Sequence, residues 1–327
     1  LGAALVNQIP LTDPMTRLTM FSDVLVFSTY ATYIVMSFMM LVMIFMMLPQ
    51  AEVSAERINE VLDRKASITE GSVREGSERG SVEFRDVCFR YPGASEEDLS
   101  HISFQVKQGE TLAIIGATGS GKSTLVSLIP RFYDATSGQV LVDGVDVKDY
   151  AFDALYDKLG YVTQKAVLFS GSIRDNVFFG ESAAAADDGA LSSAIELSQA
   201  KEFVDKLPEG TEHHIAQLGR NVSGGQKQRL SIARALARKP EILVFDDSFS
   251  ALDYRTDAKL REGLAKQLHD ITKIIVAQRI STIRHADKII VLDRGEAVGM
   301  GTHEELMQNC EVYREIATSQ LSAAELA

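Results

Sequence analysis

The stretch Gly116-Ala-Thr-Gly-Ser-Gly-Lys122-Ser123 matches the pattern GxxxxGK[ST] at every fixed position, between an apolar run and a helix-like stretch. Its chemistry is phosphate binding. Gly116 and Gly121 let backbone N–H groups approach phosphate oxygens, and Lys122 adds a cation for the β- and γ-phosphates. Ser123 offers a hydroxyl to Mg²⁺ at the start of a helix whose positive end faces the same anion. A carboxylate suited to the Mg²⁺ hydration shell, Asp246, closes the apolar run Ile242 to Phe245, and Asp247 follows at once. A third candidate is Asn221-Val-Ser223-Gly224-Gly225-Gln226, ahead of the helix-like Gln228 to Ala237. Taken alone, that motif is no more than a turn.

These groups need elements to hold them. From Ser81 on, β-rich runs alternate with helical stretches: Val82 to Tyr91, Thr111 to Ile115, Gln139 to Asp143, Ile242 to Asp246, Lys273 to Ala277 and Lys288 to Asp293. This is the α/β pattern, with an antiparallel edge expected. The alanine-rich segment Glu181 to Gly210 reads as helix with surface acids. No internal repeat is present, and the adjacent His213 and His214 read as surface loop because neighbouring side chains diverge and no acidic or cysteine cluster accompanies them.

Upstream, Val24 to Leu48 carries no charged side chain over 25 residues. As a helix it would extend about 37 Å, enough to span a bilayer with tilt. Within it Tyr30, Tyr33, Ser37, Met40, Ile44 and Met47 share one helix face. That stripe fits helix packing and an adaptable substrate path alike. After Pro49, residues Ala51 to Asp63 keep a helical rhythm with charges on one face, and Arg64 to Gly80 turns into a Ser/Gly/Glu/Arg linker. The expected domains are therefore 1–63, a membrane helix at about 24–48 with its cytoplasmic extension; 64–80, the linker; and 81–327, the α/β domain.

Net charge is 33 minus 45, or −12, and no Lys/Arg-rich run stands out, which argues against a nucleic-acid partner. Cys88 and Cys310 lie far apart with no CxxC or Cys/His cluster, as in a reducing compartment. The chain starts at Leu1 with no basic segment and cleavage site, so it reads as a C-terminal piece of a longer protein.

In order and spacing, the glycine loop, the SGGQ turn and the acidic strand end resemble ATP-binding-cassette (ABC) nucleotide domains, over about Ser81 to Ala327. With the apolar helix leading through Ala55-Glu-Arg-Ile-Asn-Glu-Val-Leu62, the chain also resembles the C-terminal part of ABC exporter half-transporters. The resemblance implies an ABC-type P-loop NTPase fold with an antiparallel β subdomain and a helical subdomain, preceded by a transmembrane α-helix. It implies ATP and Mg²⁺ as cofactors. Gly116, Thr118, Gly119, Ser120, Gly121, Lys122, Ser123 and Thr124 would bind the nucleotide, and Tyr91 would stack on adenine. Ser123, Gln164 and Asp246 would hold Mg²⁺, Gln164 also sensing the transmembrane domain. In a head-to-tail pair Ser223, Gly224, Gly225 and Gln226 would cap the γ-phosphate held by the partner's glycine loop. Ser250-Ala-Leu-Asp253 resembles the loop that crosses the dimer interface.

Two positions depart from the family pattern. The general base is a glutamate directly after the Mg²⁺ aspartate; here it is Asp247, one methylene shorter and retracted by roughly 1.5 Å. Where the family has a histidine that orients the attacking water, this chain has Gln278, which can hydrogen-bond but cannot carry a proton. Beside an intact Lys122, Asp246 and SGGQ, the pair reads as a degenerate site that binds rather than turns over. Ile215 to Gln226, with Gln217 near where many homodimeric relatives carry glutamate, resembles the nucleotide-holding subunit of heterodimeric bacterial multidrug exporters. The expectation is a cell-membrane exporter subunit with its cassette in the cytoplasm, pairing with a second, different half-subunit to move a hydrophobic small molecule or lipid. Two rivals are an ATP-binding regulatory membrane subunit that does not pump and a soluble ATP-driven clamp, the latter opposed by Val24 to Leu48.

Overall fold

The computed structural model describes residues 4, 7, 8, 14–180 and 187–320. The chain divides into two compact units, Leu1–Ser67 and Ile68–Ala327. In the first, α1 runs Pro14–Leu62, 49 residues with Pro49 inside it and no buried side chain. It begins ten residues ahead of the uncharged run and takes in the extension that the sequence separates at Pro49. Its hydroxyls turn inward on the helix: Thr29 Oγ1 donates to the Leu25 carbonyl at 2.9 Å, Thr32 Oγ1 to Ser28 at 3.0 Å and Ser37 Oγ to Tyr33 at 2.8 Å. These three hydroxyls are thereby paired within the helix, as a hydrocarbon surrounding demands.

The second unit carries twelve strands among the described residues. An antiparallel sheet is made by β1 Val82–Phe89, β2 Leu99–Val106, β4 Ser137–Val142 and β5 Val145–Asp146, in the order β2-β1-β4-β5. The central six-stranded sheet has β3 Thr111–Gly116, β6 Leu159–Val162, β9 Ile242–Asp246, β10 Thr272–Val276, β11 Lys288–Asp293 and β12 Glu296–Gly301. Their order is β12-β11-β3-β10-β9-β6, parallel except for the β11–β12 pair, which is the expected antiparallel edge. A two-stranded ladder joins β7 Gly171–Ser172 to β8 His214–Ile215, so His214 opens a strand rather than lying in a loop. Strands β2, β6 and β12 have no counterpart in the sequence expectation; β6 is four residues long and β12 is broken by Gly299 and Gly301, so neither shows a sustained run.

The helices of this unit are α2 Lys122–Ser127, α3 Phe152–Lys158, α4 Ile173–Val177, α5 Asp188–Leu197, α6 Lys201–Val204, α7 Gly224–Ala237, α8 Tyr254–Gln267, α9 Ile280–Ile283, α10 His303–Asn309 and α11 Glu311–Gln320. The segment read as one helix from 181 to 210 is two, α5 and α6, parted where Gln199 takes a left-handed backbone at φ 59°. Residues 181–186 of that segment lie outside the described residues.

Alternation along the central strands divides the core in two. Ala113, Ile115, Leu243, Phe245, Ile275 and Val291 pack on the helical side, while Leu112, Ile114, Val244, Ile274, Val276 and Ile290 pack toward the antiparallel sheet. Strands covered on both faces read as continuous apolar runs, which is why these four were legible in sequence. Burying each of the valine, leucine, isoleucine and phenylalanine side chains among them contributes about 1.5–3 kcal/mol.

Residues 68–80, inside the stretch read as a linker, lie with the second unit. Gly71 N–H donates to the Tyr150 carbonyl, Ser72 and Val73 to Asp149, and Ser77 and Glu78 to Asp143. Asp143, 1% exposed, accepts from Gly80 N–H at 2.7 Å and pairs with Lys158 at 2.7 Å, while Lys158 also reaches Glu241 at 3.5 Å.

Candidate nucleotide site

Parallel pairing brings four strand ends together. Ile114 of β3 lies beside Val276 of β10, Val276 beside Asp246 of β9, and Phe245 beside Val162 of β6. The residues that follow these ends, Gly116 to Ser123, Gln278, Asp247 and Gln164, therefore meet at the carboxyl edge of the sheet, where open α/β sheets bind ligands. Thr118, Gly119, Gly121, Lys122, Ser123, Thr124, Gln164, Asp247 and Gln278 line one cavity of about 330 Å³.

The glycine loop is shaped by close contacts. A Cβ on Gly116 would run into the Leu292 carbonyl, and one on Gly121, at φ 97°, would meet Leu99 and the Asp98 carbonyl. Lys122 is 9% exposed, and its ammonium donates to the carbonyls of Gly116 at 2.9 Å and Ala117 at 2.7 Å and to Ser120 Oγ at 3.4 Å. Burial pulls its pKa below the ordinary lysine value, against the pull of Asp247 and Asp246. Ser123 Oγ donates to Asp246 Oδ1 at 2.8 Å, and the Tyr161 hydroxyl donates to Oδ2 at 3.4 Å. Burial raises the Asp246 carboxyl; the Ser123 bond opposes it and Asp247 adds to it. Burial followed by Asp246 likewise pushes the Tyr161 phenol up, so it stays a donor. A serine hydroxyl and a carboxylate side by side are hard oxygen donors of the kind that Mg²⁺ takes, and the residues fit that cation.

Asp247 carries a left-handed backbone at φ 46°, a conformation that aspartate tolerates better than most residues. Its Oδ2 accepts from Gln278 Nε2 at 2.7 Å and from Gln164 Nε2 at 2.9 Å. Both departures from the family pattern thus meet at one oxygen, a coupling that the spacing of 31 and 83 residues hides.

Tyr91 stands at the same edge, its hydroxyl 3.2 Å from Thr124 Oγ1 and its ring edge-on to Tyr133 at 5.1 Å. Other expected site residues lie elsewhere. Ser223 caps α7: its hydroxyl accepts from Gln226 N–H at 3.3 Å while Gln226 Oε1 accepts from Ser223 N–H at 2.8 Å. Around Gly224 there is open space. Asp253 caps α8, accepting from Thr256 N–H at 3.0 Å. Neither cap lines the cavity. Sequence reasoning missed Asp98, which lines the cavity, Tyr161 on Asp246, and Tyr133 on Tyr91. Only Tyr161 left a signal, as the residue opening Tyr161-Val-Thr-Gln164.

A family model described as ABC transporter matches residues 99–250, which holds the glycine loop, the signature turn and both aspartates. This cassette belongs to the ABC transporter family. An uncharacterised ABC transporter ATP-binding protein, YfiB of Bacillus subtilis, is 44% identical over 307 residues, covering 92% of this chain and 52% of that protein. An ATP-dependent lipid A-core flippase of Xanthomonas campestris is 44% identical over 254 residues, 78% of this chain and 43% of the flippase. Among solved structures, a bacterial Atm1-family ABC exporter with ATP bound aligns with a TM-score of 0.79 at 33% identity, over 86% of this chain and 50% of that one. The chain spans about half the length of the curated relatives it matches. It therefore has the ABC cassette fold preceded by an apolar helix, and ATP is the nucleotide of that family. With an exporter-type cassette behind a helix long and apolar enough to cross a bilayer, it is the polypeptide of a membrane protein whose cassette faces the cytoplasm.

Proposed function

We propose that this chain is the C-terminal part of one subunit of an ATP-driven exporter, that its own site holds Mg-ATP with slow turnover, and that its partner is a different half-subunit. The observation that carries this reading is the meeting of Asp247 and Gln278 in one cavity with an intact Lys122 and Ser123. Lys122 and the glycine loop hold the phosphates, Tyr91 the base, and Ser123, Asp246 and Gln164 the cation. When bound, Mg²⁺ would neutralise charge on the phosphates. Asp247 is one methylene short of the expected base, and a misplacement on the order of 1 Å costs about 10²-fold. Loss of a general base altogether costs about 10²- to 10⁴-fold.

Ser223 and Gly224, outside the cavity and open to solvent, suit the role of capping the nucleotide held by the partner. The proposed cargo is a hydrophobic small molecule or lipid, the lipid supported by the flippase among the relatives. The working domains are 1–63 for the membrane part, 64–80 for the joining segment and 81–327 for the cassette. The test is ATPase activity of the full-length subunit, purified alone and with candidate partners in lipid. Slow turnover alone and fast turnover with a partner that carries glutamate and histidine is expected; robust turnover by the subunit alone would sink the reading. Asp247→Glu together with Gln278→His should raise hydrolysis at this site at least tenfold, on the order that general-base recovery allows.

A further inference from the structure

We infer that Asp247 works as an anchor in this site: its Oδ2 ties Gln164 to Gln278, and this tie slows release of the bound nucleotide. The inference rests on the reading of the site as one that binds ATP and turns it over slowly.

Three chain segments approach one oxygen. Gln164 follows β6, Gln278 follows β10 and Asp247 follows β9, and the two amides donate to Oδ2 at 2.9 and 2.7 Å. Asp247 is itself fixed. It is 5% exposed, its N–H donates to the Val276 carbonyl at 3.1 Å, and its own carbonyl accepts from Ser250 Oγ at 2.7 Å. Gln278 is held from behind as well, its carbonyl accepting from Gln320 Nε2 at 2.8 Å. The bonds lie at the nucleotide cavity, which Gln164, Asp247 and Gln278 line together with Lys122 and Gly119 of the glycine loop.

An amide that donates to a carboxylate makes a charge-assisted bond, about twice as strong as one between neutral groups. Spending Nε2 on Asp247 leaves Oε1 as the acceptor end of each glutamine, the end a cation or a water proton needs. The two substitutions then form one device. A histidine at 278 has a different reach, and a glutamate at 247 would shift its oxygen by about 1.5 Å from the place where the two amides meet it. The anchor needs an acceptor oxygen at this position rather than a base, so asparagine should keep it in a weaker, neutral form and alanine should abolish it. Asp247 is here a positioning residue, acting through the two glutamines.

The full-length subunit, reconstituted with its partner in lipid, is loaded with α-labelled ATP and Mg²⁺ and chased with unlabelled ATP. Release of label and the identity of the released nucleotide are read from the same sample. Asp247→Ala removes both charge-assisted bonds and should release nucleotide about tenfold faster or more. Asp247→Asn, which keeps the acceptor but loses the charge, should release at a rate between those of the unsubstituted protein and Asp247→Ala, and Gln278→Ala combined with Asp247→Ala should be no faster than Asp247→Ala alone. Equal release from Asp247→Ala and the unsubstituted protein overturns the anchor, as does Asp247→Asn behaving like Asp247→Ala. Since asparagine keeps the shape of aspartate, a fast Asp247→Ala beside a slower Asp247→Asn also rules out simple misfolding. The slow-turnover reading fails separately, by label leaving this site as ADP at the rate of the partner's site.

Discussion

Lys122 is the residue on which binding depends most. Its ammonium is tied to two loop carbonyls and is nearly buried, so removing it deletes both the cation and the brace of the loop. Lys122→Ala should weaken Mg-ATP binding on the order of 10- to 100-fold, from the worth of one or two bonds to charged groups. Titration with a fluorescent ATP analogue checks it; affinity within twofold of the unsubstituted protein would remove Lys122 from the site. At this scale the sequence was legible wherever a residue sits in a short motif, as Lys122, Ser123 and Asp246 do. It was not legible where partners come from different strand ends. Asp98 carries its signal in no motif, and the shared acceptor of Gln164 and Gln278 exists only because β6, β9 and β10 are neighbours.

Among the elements, the segment 68–80 differs most from its sequence appearance. Its Ser, Gly, Glu and Arg content reads as linker, yet its backbone N–H groups dock on Asp143, Asp149 and Tyr150. Arg74 pairs with Asp153, and Arg79 with Glu241 at 3.3 Å, but these pairs are exposed and contribute little. The buried part is Asp143 with Lys158 and Gly80 N–H. Asp143→Ala leaves Lys158 largely buried without that partner and should lower stability by about 3–5 kcal/mol, as broken buried pairs do. Urea unfolding of the cassette measures it, and a loss under 1 kcal/mol would mean that Glu241 suffices for Lys158. The central strands announced themselves through burial on both faces, whereas β6 and β12 are too short or too glycine-rich to be recognised without their neighbours. The signature turn has a local structural duty too. Ser223→Ala removes the α7 cap and should cost about 1 kcal/mol in cassette stability by thermal unfolding, apart from any effect on a partner.

For the whole molecule, α1 decides where the protein resides. Its side chains from Leu25 to Leu48 are exposed and the hydroxyls of Thr29, Thr32 and Ser37 are paired within the helix, a surface suited to lipid. Expressed in a bacterial host, the full-length protein should sediment with membranes, stay there through a high-salt wash and leave only in detergent. Release by salt alone would mean that α1 does not span. The uncharged run was readable because no other arrangement of 25 such residues is cheap in water, while the helix's extension back to Pro14, the first residue of it described, was not, since Arg17 and Asp23 interrupt the apolar run. The parallel register has a last consequence, for how such a site changes over generations. Asp247 and Gln278 share one oxygen, so neither position is free to drift alone: a lineage that takes glutamate first meets two misplaced donors, and one that takes histidine first gives up a tie without gaining a base. On the proposed reading of this site, the way to a hydrolysing site leads through intermediates worse than either end, which would make the proposed division of labour between two subunits easy to enter and hard to leave.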